Sequence, residues 1–257
     1  IGRAAKKATL GGRTQVIVPV SGDAAALSGQ VEAMASCRAD IVEWRADTFL
    51  SSLVGSHFVA ASDVEEDLVR MARYVADSSP LPVLATIRTS VEGGEAYLDD
   101  DEYCALVRRL ASFAGGADVE ISRDGSSALI EEAHEAGAIV VASFHDFEGT
   151  PGDEQLAEVL AAMNYAGADV LKFACMANSA TDAARVLAAQ AWAREAYDRP
   201  VIGISMGEHG APTRLVGSAL GSAATFATLP GWEGSAPGQF TVEQVRAVLD
   251  IVEASED

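Results

Sequence analysis

Short apolar runs and longer amphipathic stretches alternate along the whole chain. Gln15–Val20 is almost wholly apolar between polar flanks, the pattern of a strand covered on both faces. Similar runs at 40–47, 82–88, 117–121, 138–144, 166–174, 200–206 and 222–228 predict seven more strands. Helical periodicity fills the gaps between them. Val64, Leu68, Met71 and Val75 share one face, as do Tyr103, Leu106, Val107 and Leu110. Helices are predicted over 23–37, from 63 onward, and over 99–114, 126–136, 153–165, 179–197, 212–219 and 242–252. Asp23, Asp153 and Ser179 or Thr181 serve as their caps. The segment 48–61 reads as less regular. Gly116, Gly137 and Gly167 each precede an alanine at a strand start, where a left-handed glycine can end a helix.

Eight strand-then-helix units in 257 residues predict an α/β fold, a (β/α)8 TIM barrel in one domain. The barrel would span 13–257, with 1–12 as an unpacked N-terminal arm. A doubly wound open sheet is the alternative. Against it, the first strand-to-helix turn lacks G-x-G-x-x-G, and the chain holds no P-loop.

Composition narrows the partners. Hydrophobic residues make up 49% of the chain, but no run is long and apolar enough to span a bilayer. The basic start, Ile1 to Lys7, has no apolar stretch after it and does not read as a targeting signal. Thirty-eight acidic against 18 basic residues leave a net charge of -20. That balance disfavours nucleic acid and anionic membranes. A small anionic substrate would need a local cluster of arginines against the global field. Cys37, Cys104 and Cys175 lack metal or disulfide spacing and fit a reducing cytoplasm.

Barrel active sites lie where strands end. Those ends carry Glu43, Arg45 and Asp47, then Arg88 and Glu92, then Glu120, His145 with Asp146, Lys172 and Met206. The last loops add Arg214, Ser235 and Gln239. His57, His134 and His209 share no metal-ligand spacing, and His134 falls on an exposed helix. Ser143 and His145 share a strand face, but no nucleophile elbow accompanies them. Lys172 has two readings: an edge-strand lysine reaching water, or a desolvated nucleophile. His145 ends the neighbouring strand, within reach of Lys172 as a proton carrier.

Several motifs, in order, give the chain a family resemblance. They are Glu43-Trp44-Arg45-Ala46-Asp47, Ile87-Arg88 with Glu92-Gly93-Gly94-Glu95, Ser143-Phe144-His145-Asp146-Phe147 and Leu171-Lys172-Phe173-Ala174. Ile204-Ser205-Met206-Gly207, Thr213-Arg214, 221–226 and Ser235-Ala236-Pro237-Gly238-Gln239 follow. From about Val16 to Leu249 the chain resembles type I 3-dehydroquinate dehydratase. The resemblance implies a barrel without metal or organic cofactor, commonly a homodimer, acting in the shikimate pathway. It implies that Lys172 forms an imine with the substrate ketone, that His145 carries protons, and that Glu92 orients the histidine. Arg214 would hold the substrate carboxylate. Glu43, Arg45, Arg88, Ser235 and Gln239 would bind its hydroxyls and close the site, and Met206 would line it. Thr213, where serine is more usual, and 208–212 depart from the pattern. A class I aldolase, which also uses a barrel lysine, and a non-catalytic metabolite-binding barrel are the competing readings.

Overall fold

The apolar runs fold into one sheet of parallel strands, whose order across the sheet, numbered along the chain, is 7-6-5-4-3-2-1-8-9. They are β1 (Gln15–Val20), β2 (Ile41–Arg45), β3 (Val83–Thr86), β4 (Gly116–Glu120), β5 (Ile139–Asp146), β6 (Val170–Met176), β7 (Val201–Met206), β8 (Ala224–Thr228) and β9 (Phe240–Thr241). The computed structural model describes residues 1–2, 6–55, 60–232, 234–236 and 238–253. His57 lies outside the described residues. Helices alternate with the strands: α1 (Ala24–Ala33), α2 (Ala46–Val54), α3 (Ala61–Ser78), α4 (Asp100–Ala111), α5 (Ser126–Glu135), α6 (Asp153–Tyr165), α7 (Ala180–Ala196), α8 (Gly207–Gly210), α9 (Thr213–Val216) and α10 (Val242–Glu253).

The sheet curls on itself as a TIM barrel. Its seam is one parallel bridge, Val201 opposite Ser222, with Ala223 N donating to Val201 O at 2.9 Å. Toward the mouth the short β9 pairs with β8 instead. Strand alternation then makes two cores. Outward residues such as Val18, Trp44, Leu171 and Phe173 pack under Leu68, Leu106, Leu129 and Leu160 of the helices. Inward residues Ile17, Ile41, Leu84, Val141, Val170 and Ile202 fill the barrel itself.

Local chemistry explains where elements start. Asp23 Oδ1 accepts from Ala26 N at 2.9 Å, and Ser179 accepts from Asp182 N, so both predicted caps form. Asp153 does not cap α6. Gly152 takes that position, and Asp153 ion-pairs with Arg185 instead. Gly137 and Gly167 are left-handed (φ 82° and 83°), but Gly116 belongs to β4 itself. The segment after β2 is more regular than predicted. α2 begins directly at Ala46, because Phe49 and Leu50 are buried and Thr48 Oγ1 donates to Arg45 O at 2.7 Å. Among the described residues of the predicted arm, Ile1, Ala8 and Leu10 pack against the inner core, beneath the strands' N-terminal ends.

Candidate active site

Along β2 to β6 the inward positions change from apolar to polar within one strand. Ile41 gives way to Glu43 and Arg45, Leu84 to Thr86, and Val141 to Ser143 and His145. Val170 gives way to Lys172. The polar layer stays nearly dry: Glu43, Arg88, Asp118, Glu120, Ser143 and Lys172 are all 4% exposed or less. Desolvated charges persist only when paired, and here each one is.

Arg88, just past β3, is the hub. Its Nη2 donates to Asp118 Oδ1 at 2.6 Å, and its Nη1 donates to Glu120 Oε2 at 2.8 Å and Ser143 Oγ at 3.2 Å. Ser143 Oγ donates on to Asp118 Oδ1 at 2.6 Å. Lys172 Nζ donates to Asp118 Oδ2 at 3.1 Å, lies 3.9 Å from Glu43 Oε1, and sits 4.9 Å from the Phe226 ring centre. Thr86 Oγ1 holds Glu43 Oε1 at 3.0 Å. β6 lies between β5 and β7, with Ser143, Lys172 and Ile202 in register. The edge-strand reading of Lys172 is therefore excluded.

His145 Nδ1 lies 2.7 Å from Glu120 Oε2. Burial, then the positive charges of Arg88, Lys172 and Arg45, hold its imidazole well below the ordinary histidine range. It is neutral at pH 7 and able to accept a proton. Burial also pushes the Glu120 carboxyl up, to about 8; Arg88 opposes this, while Glu92 and Asp118 add to it. Burial acts in the same sense on Asp118, but Arg88 and Lys172 outweigh it and bring that carboxyl down to about 2. For Arg88, burial works against the charge and Asp118 with Glu120 overcompensate, so its pKa rises.

Every predicted site residue lines one cavity of about 480 Å³, counting its open mouth. Lys172, His145 and Glu92 are there with Glu43, Arg45, Arg88, Met206 and Arg214, and Ser235 and Gln239 close one side. Burial lowers the Arg214 guanidinium to about 10. Two placements differ from the expected roles. Glu92 is not the carboxylate that holds His145: it accepts from Thr89 N and Thr89 Oγ1 at 3.0 and 2.7 Å and lies 3.0 Å from Arg123 Nε. Arg88 has three donor contacts committed inside the protein rather than waiting for a ligand. Gln239 accepts from Ser235 N at 3.0 Å and donates to Ser235 Oγ at 3.2 Å, which ties the closing segment into its own turn. Arg45 is held bidentate by Asp47 at 2.9 and 2.7 Å.

The loop after β3 needs its glycines. Gly93 is left-handed (φ 72°), and a Cβ there would meet the Phe147 ring at 2.5 Å; one on Gly94 would lie 2.0 Å from Arg88 O. Asp146 is no partner of His145, since its Oδ1 accepts from Glu148 N and Gly149 N in the turn beyond β5. His134 pairs with Asp169 at 2.8 Å and His209 is exposed on α8, both away from the cavity. Asp118 was missed by sequence reasoning. The signal existed: it stands two residues before Glu120 on a strand, and so on the same face.

The Type I 3-dehydroquinase family model matches residues 16–256. The chain is 36% identical over 247 residues to a 3-dehydroquinate dehydratase from Klebsiella pneumoniae, covering 94% of each protein. The crystal structure of 3-dehydroquinate dehydratase from Geobacillus kaustophilus superposes with a TM-score of 0.86 at 31% identity, over 96% of this chain and 95% of that one. The type I enzyme from Clostridium difficile gives 0.83 at 30% identity, over 97% and 96%. On this evidence of profile, sequence and structure, the chain belongs to the type I 3-dehydroquinase family.

Proposed function

We propose that the protein dehydrates 3-dehydroquinate to 3-dehydroshikimate, as a hydro-lyase of the shikimate pathway, through an imine on Lys172. The observation that carries the imine is a lysine 3% exposed, on an interior strand, turned into the same cavity as a neutral histidine. An aldolase would share the lysine, but family membership favours dehydration.

The proton balance suits a buried site. An ammonium has no lone pair, so Lys172 first lends one proton to the neutral His145 and adds to the ketone as the free amine; overall an ammonium and a ketone give an iminium and water, so the charge on Lys172 is the same before and after. Two of the ammonium's protons leave with the ketone oxygen. The iminium then draws electrons from the adjacent carbon, and His145 takes the proton released there. The protonated histidine delivers it to the departing hydroxyl, which leaves as water. A further water hydrolyses the product iminium and restores Lys172. Arg214 meets the substrate carboxylate, since a guanidinium can grip it through two parallel bonds. Glu43, Arg45, Ser235 and Gln239 line the path of its hydroxyls, while Ile204, Met206 and Phe226 form the apolar wall opposite. Glu92 fixes the loop that follows Arg88. The homodimer and the cytoplasmic location belong to the same proposal, and sedimentation near twice 26.7 kDa tests the first.

Borohydride added during turnover of 3-dehydroquinate, followed by intact mass and peptide mapping, tests the imine. A reduced adduct on Lys172 is expected, with none in Lys172→Ala and no turnover by that variant. A wild-type protein that turns over without any adduct would overturn the mechanism.

A further inference from the structure

The two reacting side chains stand on β5 and β6, but the groups that hold them stand together on β4. Asp118 and Glu120 are two residues apart on that strand, so alternation turns both inward. β4 pairs with β5, with Glu120 opposite Ser143. One carboxylate reaches across to Lys172 Nζ at 3.1 Å, the other to His145 Nδ1 at 2.7 Å. Arg88 bonds both, and Ser143 Oγ sits between them. Glu120 is 0% exposed and Asp118 1%, so both geometries are fixed by protein and not by solvent. Glu92 cannot substitute, because one of its oxygens is committed to Thr89 and the other lies against Arg123.

From this geometry we infer that β4 positions both reacting groups: Glu120 fixes the ring and tautomer of His145, Asp118 fixes the Nζ of Lys172, and Arg88 clamps the two carboxylates. Once Glu120 is ionised its oxygens can only accept, so the bond from His145 is then Nδ1–H donating. That leaves Nε2 bare and turned to the cavity as the proton acceptor. Asp118 holds the ammonium from one side, which orients Nζ toward an incoming ketone. Both are positioning residues; neither touches the substrate. The inference rests on the imine reading but fails separately from it.

The groups facing Glu120 are Arg88 and Glu92 from the end of β3 and the turn after it, Asp118 and Ser122 beside it, Ser143 and His145 from β5, and Tyr103 from α4. Ionised Glu120 is the stronger acceptor for the His145 Nδ1–H and makes Nε2 the better base. Burial places that ionisation at about 8. Activity therefore rises with pH through that region.

The test compares kcat/KM against pH for wild type, Glu120→Gln and Glu92→Gln, with 3-dehydroquinate as substrate. Wild type and Glu92→Gln are expected to show the limb near pH 8. Glu120→Gln is expected to lose the limb, with kcat down roughly 100-fold and KM changed less than about threefold. A limb retained in Glu120→Gln, or lost only in Glu92→Gln, overturns the assignment. Nitrogen-15 spectra of histidine-labelled wild type, with His145 assigned by its Gln variant, read the tautomer without perturbing β4. A bare Nε2 supports the inference and an Nε2–H overturns it. Borohydride trapping separates the two readings. An adduct in Glu120→Gln, formed more slowly in Asp118→Asn, supports positioning, whereas no adduct in wild type defeats the imine reading itself. Equal trapping rates in Asp118→Asn and wild type would overturn the role of Asp118.

Discussion

The floor and the mouth of the barrel are built from the same strands, one pleat apart, and both are dry. On the floor, Ile17, Ile41, Leu84, Val141, Val170 and Ile202 are each 2% exposed or less. One pleat higher on β2, β3, β5 and β6 stand Glu43, Thr86, Ser143 and Lys172, each 3% exposed or less. Burial does not distinguish the layers; chemistry does. Floor residues gain by leaving water, whatever their neighbours. Mouth residues lose by it, and persist only because each finds a partner of opposite charge or a hydrogen bond. The floor tolerates exchange among apolar side chains, but the mouth is one connected network. β7 and β8 do not join that network. Ile204, Met206 and Phe226 keep their side apolar. The cavity thus has one charged wall and one apolar wall, suited to a ring with polar edges.

Removing the hub of the network should produce the largest effect on stability. Arg88→Met leaves Asp118 and Glu120 buried without their common partner. Breaking a buried pair from one side costs about 3–5 kcal/mol, and turnover should fall with it because both positioning carboxylates lose their clamp. Urea unfolding monitored by far-ultraviolet circular dichroism checks the stability. A loss below about 1 kcal/mol would show that the mouth is held together by packing, as the floor is, and the contrast would collapse.

Ile17→Ala is the matching change on the floor. It should cost about 3 kcal/mol, by lost transfer energy and a cavity, yet leave the pH profile of kcat/KM unchanged. A shifted profile would mean that the floor sets the electrostatics of the mouth. A cost near zero would mean that the floor can collapse around the gap.

The contrast also explains what the sequence could reveal. Apolar runs mark all eight barrel strands, because a strand covered on both faces has little choice of residue. The motif residues 43–47, 145 and 172 point to the mouth for the same reason: a charge inside an apolar run is costly and conspicuous. Partners were harder to read. Asp118 stands in register with Val141, and through it with Val170, and only the folded side chains show Lys172 Nζ reaching it. Glu92 and Glu120 are both carboxylates near His145, and nothing linear decides between them. Their difference lies in a turn that bends Glu92 back onto Thr89. α2 was obscured because Ser51, Ser52 and Val54 form helix weakly, while the burial of Phe49 and Leu50 decides the matter in three dimensions.

The acid limb of stability gives the smallest and sharpest separation of the two layers. In the folded protein, burial tends to raise Asp118, but Arg88 and Lys172 dominate and lower it from 3.8 to about 2. A carboxylate lowered on folding adds stability above its unfolded value, and loses it as pH falls through the folded one. The drop is worth roughly 2 kcal/mol at about 1.4 kcal/mol per pH unit, lost between about pH 4 and pH 2. Glu120 has the opposite sign. Raised from 4.5 to about 8, it contributes fully below 4.5 and loses that contribution as pH rises through 8. Urea midpoints measured from pH 2.5 to 5 should therefore fall less steeply toward acid for Asp118→Asn than for wild type. Ile17→Ala should run parallel to wild type over the same range, because the floor has nothing to titrate. Parallel curves for Asp118→Asn as well would mean that its charge is not held by Arg88 and Lys172, and the mouth would lose the feature that sets it apart from the floor.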